Sequence, residues 1–585
     1  MKKWWPTLLW LAAAAWMGWW LTSNPLPDGY QNEYLHVGNA FDLWGALTTW
    51  DVWHLRWYMY RVAPWPWGLH APAAPLFALL GPSHGALVAT NLLHLAVLLW
   101  ATSRLGRVFS APLAPLLVVL APGVFGSLVR YEPNLAAIAW SAAALACAVS
   151  SRGLRDRGMV IGWGCSLGIG LMMDRLTVGF FALPVVLPYL GGLWGPERGR
   201  IGRNLALGGG AAAFLSAAYY REYALNQLSE VLQQVPVGEI DAAGAVTATG
   251  GALYYLWTLP DSQAGTVLGL AMVLGLGLTL VEVARAVRAG RRWQAEAALL
   301  SAVLLPVIFF TLVAKKQVFY TLPILAPLAV MVGRHPATAA LGVLGGLWVF
   351  GVQGLGVLPG ERLAAWALPA AWVSPRHVVA RPPSFEDWPL DEAIADLPTE
   401  PGDLAARRAA PPGADGPSIA VFSEDDRLFE GFVALAVREG LPGAHARGIT
   451  LDPQGTTEML DHTQALLWVG PAGGGWPDAE DVHAELLADH LKLADYPEVG
   501  QRVEDAEEQF TEISRYRSGD LDLVVFLRTT DAPLAPSVTP PGEPPAGAPA
   551  VEGEGRPPGD GVGRPSPAQG GASRAPVGTP AADLR

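Results

Sequence analysis

The chain has 585 residues, of which 51% are hydrophobic and only 16% are charged, where a soluble domain carries about a quarter. Residues 1–380 hold 24 Lys+Arg against 16 Asp+Glu, whereas residues 381–530 hold 11 against 30. A basic apolar part followed by an acidic part favours a membrane protein with a soluble appendage and excludes nucleic acid as the expected partner.

The apolar runs of residues 1–380 predict a polytopic α-helical membrane domain, because a spanning helix needs about 20 apolar residues. The first run follows Lys2 and Lys3, is longer than the apolar core of a signal peptide, and is interpreted as an uncleaved span. About eleven spans are predicted, near residues 4–22, 85–103, 109–127, 134–150, 159–173, 176–194, 204–220, 264–283, 297–313, 317–332 and 337–357.

The orientation of these spans is predicted from the basic residues between them, since cytoplasmic loops are enriched in Lys and Arg. We expect a multi-pass protein of the cell membrane, a bacterial inner membrane, with a cytoplasmic N-terminus and an extracytoplasmic C-terminal domain. The residues that predict the inner loops are Lys2, Lys3, Arg104, Arg107, Arg152, Arg155, Arg157, Arg198, Arg200, Arg203, Arg285, Arg288, Arg291, Arg292 and Arg334.

The first outer loop, residues 23–84, contains short predicted helices with interfacial tryptophans and an acidic candidate, Glu33. Carboxylates beside apolar spans are costly to keep near a membrane, so they are functional candidates, although a partner of a helix dipole is an equal interpretation of Glu33. Asp42 is a second acid or a helix cap. His36 lies one helical turn after Glu33, and with Glu132 this pair could hold a divalent cation.

Glu132 is the second acidic candidate, in RYEPNLAAIAW at the outer mouth of the fourth predicted span, and a partner of the helix dipole is an equal interpretation of it too. Cations predicted on the same face could neutralise a phosphate, with snorkelling to lipid headgroups as the alternative interpretation. The cations are Arg56, Arg130, Arg175, Lys315 and Lys316, and Tyr320 follows the two lysines in AKKQVFYTLP.

Residues 381–530 predict a small α/β domain, because strand and helix patterns alternate. The predicted strands are SIAVF, ALLWVG and LDLVVFLRT, and the predicted helices are DRLFEGFVALAVREG and AEDVHAELLADHLKLA. Residues 531–585 are rich in Pro, Gly and Ala without apolar periodicity and are predicted to be a disordered tail.

The motifs N-E-Y after the first span, Y-E-P-N-L-A-A, D-R-L-T and K-K-Q-V-F-Y-T-L-P-I-L-A-P-L, taken together, resemble the membrane-embedded glycosyltransferases of the GT-C class. The nearest branches are the protein O-mannosyltransferase-like and lipid A aminoarabinose transferase-like enzymes, and the resemblance covers residues 1–380. The chain departs from the family pattern at Asn32, where an Asp often stands, and at Val178, where a Lys often stands.

The resemblance implies transfer of a sugar from a polyprenyl-phosphate donor to a lipid, glycan or protein acceptor outside the cytoplasm, with inversion. It implies that Glu33 is the general base and Glu132 the second acid. The cations of the outer face would stabilise the departing phosphate. Two other classes stay open: a catalytically inactive relative, which Asn32 suggests, and a lipid or sugar transporter.

Overall fold

The structure, a computed structural model, describes most of the helical first part and much of a sheet in the second part. The described residues are 4–24, 31–50, 52, 55, 66–174, 177–234, 254–312, 318–356, 389–399, 417–423, 437, 441, 445–448, 460, 463–473, 503–518 and 521–529.

The first part is built from α-helices joined by short 3-10 and π-helical turns. The α-helices are α1 (Trp5–Ser23), α2 (Gln31–Thr48), α3 (Ala73–Leu80), α4 (His84–Ala89), α5 (Asn91–Val108), α6 (Ala114–Val119), α7 (Pro122–Leu128), α8 (Asn134–Ser150), α9 (Arg157–Met173), α10 (Thr177–Ala182), α11 (Arg198–Gln234), α12 (Tyr254–Thr258), α13 (Thr266–Arg288), α14 (Gln294–Leu312), α15 (Leu325–Gly333) and α16 (Pro336–Val349). The 3-10 segments are Trp67–Leu69, Pro184–Trp194 and Val318–Ile324, and the π-helical turns are Leu259–Gln263 and Phe350–Gly354.

Four helical segments of the described chain are long and apolar enough to cross a membrane: His84–Val108, Thr266–Arg288, Gln294–Thr311 and Pro336–Gly354. Each overlaps one predicted span. The predicted number of eleven is not confirmed, because other apolar helices, such as α8 and α9, have only 17 residues each.

Three predicted spans are not single helices, and proline is the physical reason. The span predicted at 109–127 is interrupted between α6 and α7. Ala121, just before Pro122 at the start of α7, has an extended backbone with a ψ angle of 130°. A residue before proline is sterically pushed out of the helical region. The spans predicted at 176–194 and 317–332 likewise divide into a short α-helix and a proline-containing 3-10 segment.

The helical core is held by close backbone approach and by aromatic packing. A Cβ on Gly164 of α9 would collide with the carbonyl oxygen of Gly208 in α11, so glycine permits this crossing. Trp16 and Phe125 meet edge to face at 5.8 Å between ring centroids, and Phe350 lies 5.3 Å from Phe125. These three rings tie α1 and α7 to the last π-helical turn.

The second part contains helix α17 (Leu390–Ala395) and a five-stranded mixed sheet. The strands are β1 (Ser418–Ser423), β2 (His445–Gly448), β3 (Ala465–Pro471), β4 (Phe510–Ser518) and β5 (Leu521–Arg528), in the order β2-β1-β3-β5-β4. Strands β2, β1 and β3 run parallel, whereas β3, β5 and β4 are antiparallel neighbours.

The three strands predicted from the sequence coincide with β1, β3 and β5, and β2 and β4 were missed. Strand β4 has the sequence FTEISRYRS, and its charged residues obscure the alternation of apolar and polar residues by which a strand is predicted. The two helices predicted in this domain lie, apart from Val437, outside the described residues, as do the boundary predicted near residue 380 and the tail from residue 531.

Candidate active site

The loop that carries Arg130 and Glu132 is fixed by one buried amide. Asn91, the first residue of α5, donates from Nδ2 to the carbonyl oxygens of Ser127 at 3.2 Å, Leu128 at 3.1 Å and Arg130 at 2.6 Å. All of these groups are buried. The amide therefore holds the end of α7 against the start of α5, and the loop between α7 and α8 begins from that point.

Glu132 is 3% exposed and stands two residues before α8. Its Oε2 accepts a hydrogen bond from Nδ2 of Asn134. Arg130, also 3% exposed, brings a cation into the same loop. A carboxylate and a guanidinium are thus both kept out of bulk water at the predicted outer mouth of α8, where electrostatic interactions are stronger than in water.

Three chain segments converge beside this loop. Leu69 of the first 3-10 turn packs with Ala136 near the start of α8 and with Met173 at the end of α9. Gly68 lies so close to α9 that a Cβ there would collide with the carbonyl oxygen of Met172 and come within 2.8 Å of its Cβ. Asp174, 8% exposed, follows directly. The structure therefore brings the start of α8, which follows Y-E-P-N, and the end of α9, which precedes D-R-L-T, together around the turn at residue 68.

A buried His–His–Tyr group connects this junction to α2. Tyr131 donates from its hydroxyl to the carbonyl oxygen of Leu69 at 3.1 Å, and His70 Nδ1 lies 3.3 Å from the same hydroxyl. Burial lowers the pKa of His70 to about 3, and because the tyrosine hydrogen is donated to Leu69, a hydrogen on His70 Nδ1 would complete the contact with the tyrosine oxygen. The ring of His36 lies 5.5 Å from that of His70.

Helix α2 presents one face to this group. His36, Val37, Ala40 and Leu43 are buried along it at helical spacing. The backbone of Glu33 and of Asp42 belongs to α2, whereas their side chains are outside the described part.

The phosphate-binding role predicted for the outer-face cations stays a prediction. Arg56, Arg175, Lys315 and Lys316 lie outside the described residues. The two lysines come two and three residues before the described 3-10 segment Val318–Ile324 in the sequence, and this segment packs against α8 and α10. Within this segment Tyr320 stacks on Phe310 at 5.3 Å, and buried Thr321 accepts a hydrogen bond from Gln263 Nε2 at 2.8 Å.

Sequence reasoning missed Asn91, His70, Tyr131 and Asn134. Tyr131 and Asn134 belong to the Y-E-P-N motif, so their proximity to Glu132 was predictable from the chain. Asn91 and His70 act on groups 36 to 61 residues away in the chain, which no local pattern discloses.

The divalent cation predicted from Glu33, His36 and Glu132 is not tested. Within the residues that the structure describes, no group of three or more His, Cys, Asp or Glu is arranged to hold a metal ion. The predicted set includes Glu33, whose side chain is not among them.

The comparisons with known proteins identify the fold. No protein-family model and no curated protein sequence matches the chain. The crystal structure of ArnT from Cupriavidus metallidurans bound to undecaprenyl phosphate matches it with a TM-score of 0.50 at 15% identity, over 90% of this chain and 98% of that one. The apo state of the same protein gives 0.49 at 14%, over 89% and 97%. An oligosaccharyltransferase of Archaeoglobus fulgidus, in complex with zinc and sulfate, gives 0.37 at 11%, over 76% and 64%.

The fold is therefore that of the GT-C membrane glycosyltransferases, as the sequence motifs predicted. This assignment rests on the ArnT complex, whose similarity extends over nearly the full length of both chains. The chain is a helical membrane protein with that architecture.

Proposed function

We propose that the protein is a membrane glycosyltransferase that moves a sugar from a polyprenyl-phosphate carrier to an acceptor outside the cytoplasm. The observation that carries the proposal is the likeness in fold to ArnT in its complex with undecaprenyl phosphate. The convergence of the start of α8 after Y-E-P-N, the end of α9 before D-R-L-T and the turn at residue 68 supports it, because these two motifs carry part of the resemblance to the GT-C class and lie far apart in the sequence.

In the proposed reaction an acceptor hydroxyl or amine attacks the anomeric carbon from the face opposite the phosphate. The new bond to the acceptor forms as the bond from carbon to phosphate oxygen breaks, the polyprenyl phosphate leaves, and the configuration inverts. The acceptor proton passes to a carboxylate, for which we propose Glu33 near the N-terminal end of α2. The step uses only side chains of this chain, and activity with EDTA decides whether a divalent cation also takes part.

The roles of Glu132 and of the cations are proposed from their positions in the chain and in the fold. Glu132, held by Asn134 in the loop after α7, is proposed as the second acid that orients donor or acceptor. Arg130 in the same loop, with Arg56, Arg175, Lys315 and Lys316, is proposed to balance the charge of the departing phosphate. The donor phosphate would then lie where the segment after Lys316 meets α8.

The experiment is sugar transfer from labelled polyprenyl-phosphate donors to membrane extract, using purified full-length protein with and without EDTA. We expect Glu33→Gln to reduce turnover by about 10²–10⁴-fold, the usual contribution of a general base. Glu132→Gln is expected to lower it as well.

The matched control is Glu282→Gln. This carboxylate lies in α13, is paired with Arg334 at 2.8 Å and is none of the proposed donor or acceptor groups, so its loss should leave transfer unchanged. Folded wild-type protein that transfers none of several donor sugars would favour an inactive relative, and donor movement across liposomes without transfer would favour a transporter.

A further inference from the structure

A groove between α1 and α5 runs along α5 from Ala96 to Arg107, and its charged end is the one distant from the candidate active site. Its volume is about 890 Å³. Asn91 at the start of α5 touches the Glu132 loop, whereas Arg107, which lines the groove, is 16 residues later, or about 24 Å along the helix. That distance is most of the thickness of a bilayer's hydrocarbon core, about 30 Å. The charged end of the groove is thus separate from the site described above.

The groove is apolar with one charged corner. Its walls include Trp5 and Trp10 from α1 and Leu99 and Trp100 from α5, with Pro112 and Pro115 beyond the end of α5. None of its lining residues is acidic. Trp100 is 43% exposed and Leu8 and Leu11 of α1 are more than half exposed, so an apolar chain in the groove would continue into the surrounding lipid.

The charged corner is formed by Arg107 in the last turn of α5. Arg104, one turn earlier, is engaged, donating to Ser150 Oγ at 2.8 Å and to Met159 Sδ at 3.1 Å. Arg107 is exposed, and no carboxylate of the described residues lies within ion-pair distance of it. The lining also carries the hydroxyl of Ser103 and the indole N–H of Trp5, which have no hydrogen-bond partner within that same part of the chain.

We propose that this groove binds an anionic glycerophospholipid, with its acyl chains along the tryptophans and its phosphate on Arg107. A guanidinium gives a phosphate charge-assisted hydrogen bonds, and tryptophans favour the interface between headgroups and chains. A glycerophospholipid is chosen over a polyprenyl phosphate because Arg107, the proposed phosphate ligand, lies about 24 Å along α5 from Asn91 and the Glu132 loop, where the carrier's phosphate would react. The sequence predicts that this end faces the cytoplasmic leaflet, which is rich in anionic lipid.

The test is native mass spectrometry of the full-length protein released from micelles that contain phosphatidylglycerol or phosphatidylcholine. We expect wild type to retain one phosphatidylglycerol in preference to phosphatidylcholine. Arg107→Gln should weaken that retention about tenfold, the effect of losing one charge-assisted contact. Arg288→Gln, an exposed arginine in the last turn of α13, is the matched control and should retain the lipid like wild type.

A second pair of variants tests the apolar wall. Ala96→Phe should fill the groove and abolish retention, whereas Leu93→Phe on the same helix lies outside the lining and should not. Equal retention by Arg107→Gln and wild type would overturn the proposal, as would equal retention of the two phospholipids. Preferential retention of undecaprenyl phosphate in a mixture with phosphatidylglycerol would overturn the choice of occupant.

Discussion

At the scale of single residues, the candidate site depends on side chains whose partners are distant in sequence. The sequence located Glu132 correctly at the start of a helix, because Pro133 and the apolar run after it are local signals. The sequence could not predict that Asn91 donates hydrogen bonds to three carbonyl oxygens of another segment, because only the folded chain brings the two segments together. The position of Glu132 at the helix start was therefore predictable, whereas the hydrogen bonds that hold its loop in place were not.

Replacing Asn91 by Ala should cost stability and activity together. Three buried carbonyls lose their donor, and each buried acceptor left unpaired costs about 1–3 kcal/mol. The loop with Arg130 and Glu132 would also be released. Thermal unfolding in detergent and sugar transfer are the measurements.

Asn204→Ala is the control for this change. Asn204 is equally buried and donates to two carbonyls, of Leu154 at 3.0 Å and Arg155 at 3.1 Å, far from the Glu132 loop in the chain. It should lower stability and leave transfer per folded molecule unchanged. Equal loss of specific activity in both variants would refute a positioning role for Asn91.

At the scale of elements, the sequence predicted the helical class and three of the five described strands, and it failed where proline divides an apolar run. Hydropathy averages over a window and does not register that Ala121 is extended before Pro122. Strand β4 was missed because it carries charged residues, which in the fold pair with a carboxylate of the neighbouring strand. Asp522 of β5 accepts from Arg517 Nε at 2.8 Å and from Arg515 Nη1 at 2.9 Å.

The junction of the 3-10 turn with α9 should not tolerate a side chain at position 68. Gly68→Ala would push the turn away from Met172, and such overpacking costs about 1–3 kcal/mol. We expect a lower melting temperature and reduced transfer. Gly85→Ala, where a Cβ meets nothing within 4 Å, should change neither by much, and similar losses in both variants would count against this packing.

The pairing of β4 with β5 should depend on pH through Asp522. Hydrogen bonds from Arg517, then from the Gly473 N–H and Arg515, hold the pKa of its carboxyl well below the usual range. A carboxyl whose folded pKa is depressed stabilises the fold above its unfolded pKa of about 3.9, and this stabilisation is lost as the pH falls through the folded pKa.

Hydrogen exchange of residues 510–518 in the full-length protein measures this dependence. Protection, corrected for intrinsic exchange rates, should be constant from pH 7 to 5 and fall below about pH 4. Asp522→Asn should be poorly protected throughout, while Glu507→Gln, an exposed acid just before β4, should behave like wild type. Full protection in Asp522→Asn would show that the arginine contacts do not stabilise the pair.

At the scale of the whole molecule, α5 separates two chemically different ends. One end carries Asn91, Tyr131 and Glu132, and the other carries Arg107 at the charged end of the groove. The sequence predicts from its basic loops that the Arg107 end faces the cytoplasm, and this orientation stays a prediction. The number of spans was less predictable, since broken helices do not follow hydropathy.

Cysteine labelling should test the predicted orientation. In a background without Cys147 and Cys165, Thr529→Cys after β5 should react with a membrane-impermeant maleimide added to spheroplasts. Arg291→Cys, in the exposed turn after α13, should react only once the membrane is opened. Labelling of both positions from the same side would contradict the predicted topology.

Sugar transfer from a lipid carrier is tested most directly by single-turnover release of polyprenyl phosphate from a sugar-loaded carrier by the wild-type protein. We predict that one carrier phosphate is released for each sugar that appears on an acceptor, with inverted anomeric configuration, and that release stops without an acceptor. Carrier that stays intact with folded protein and acceptor present, or sugar transferred with retention, would contradict the proposed function.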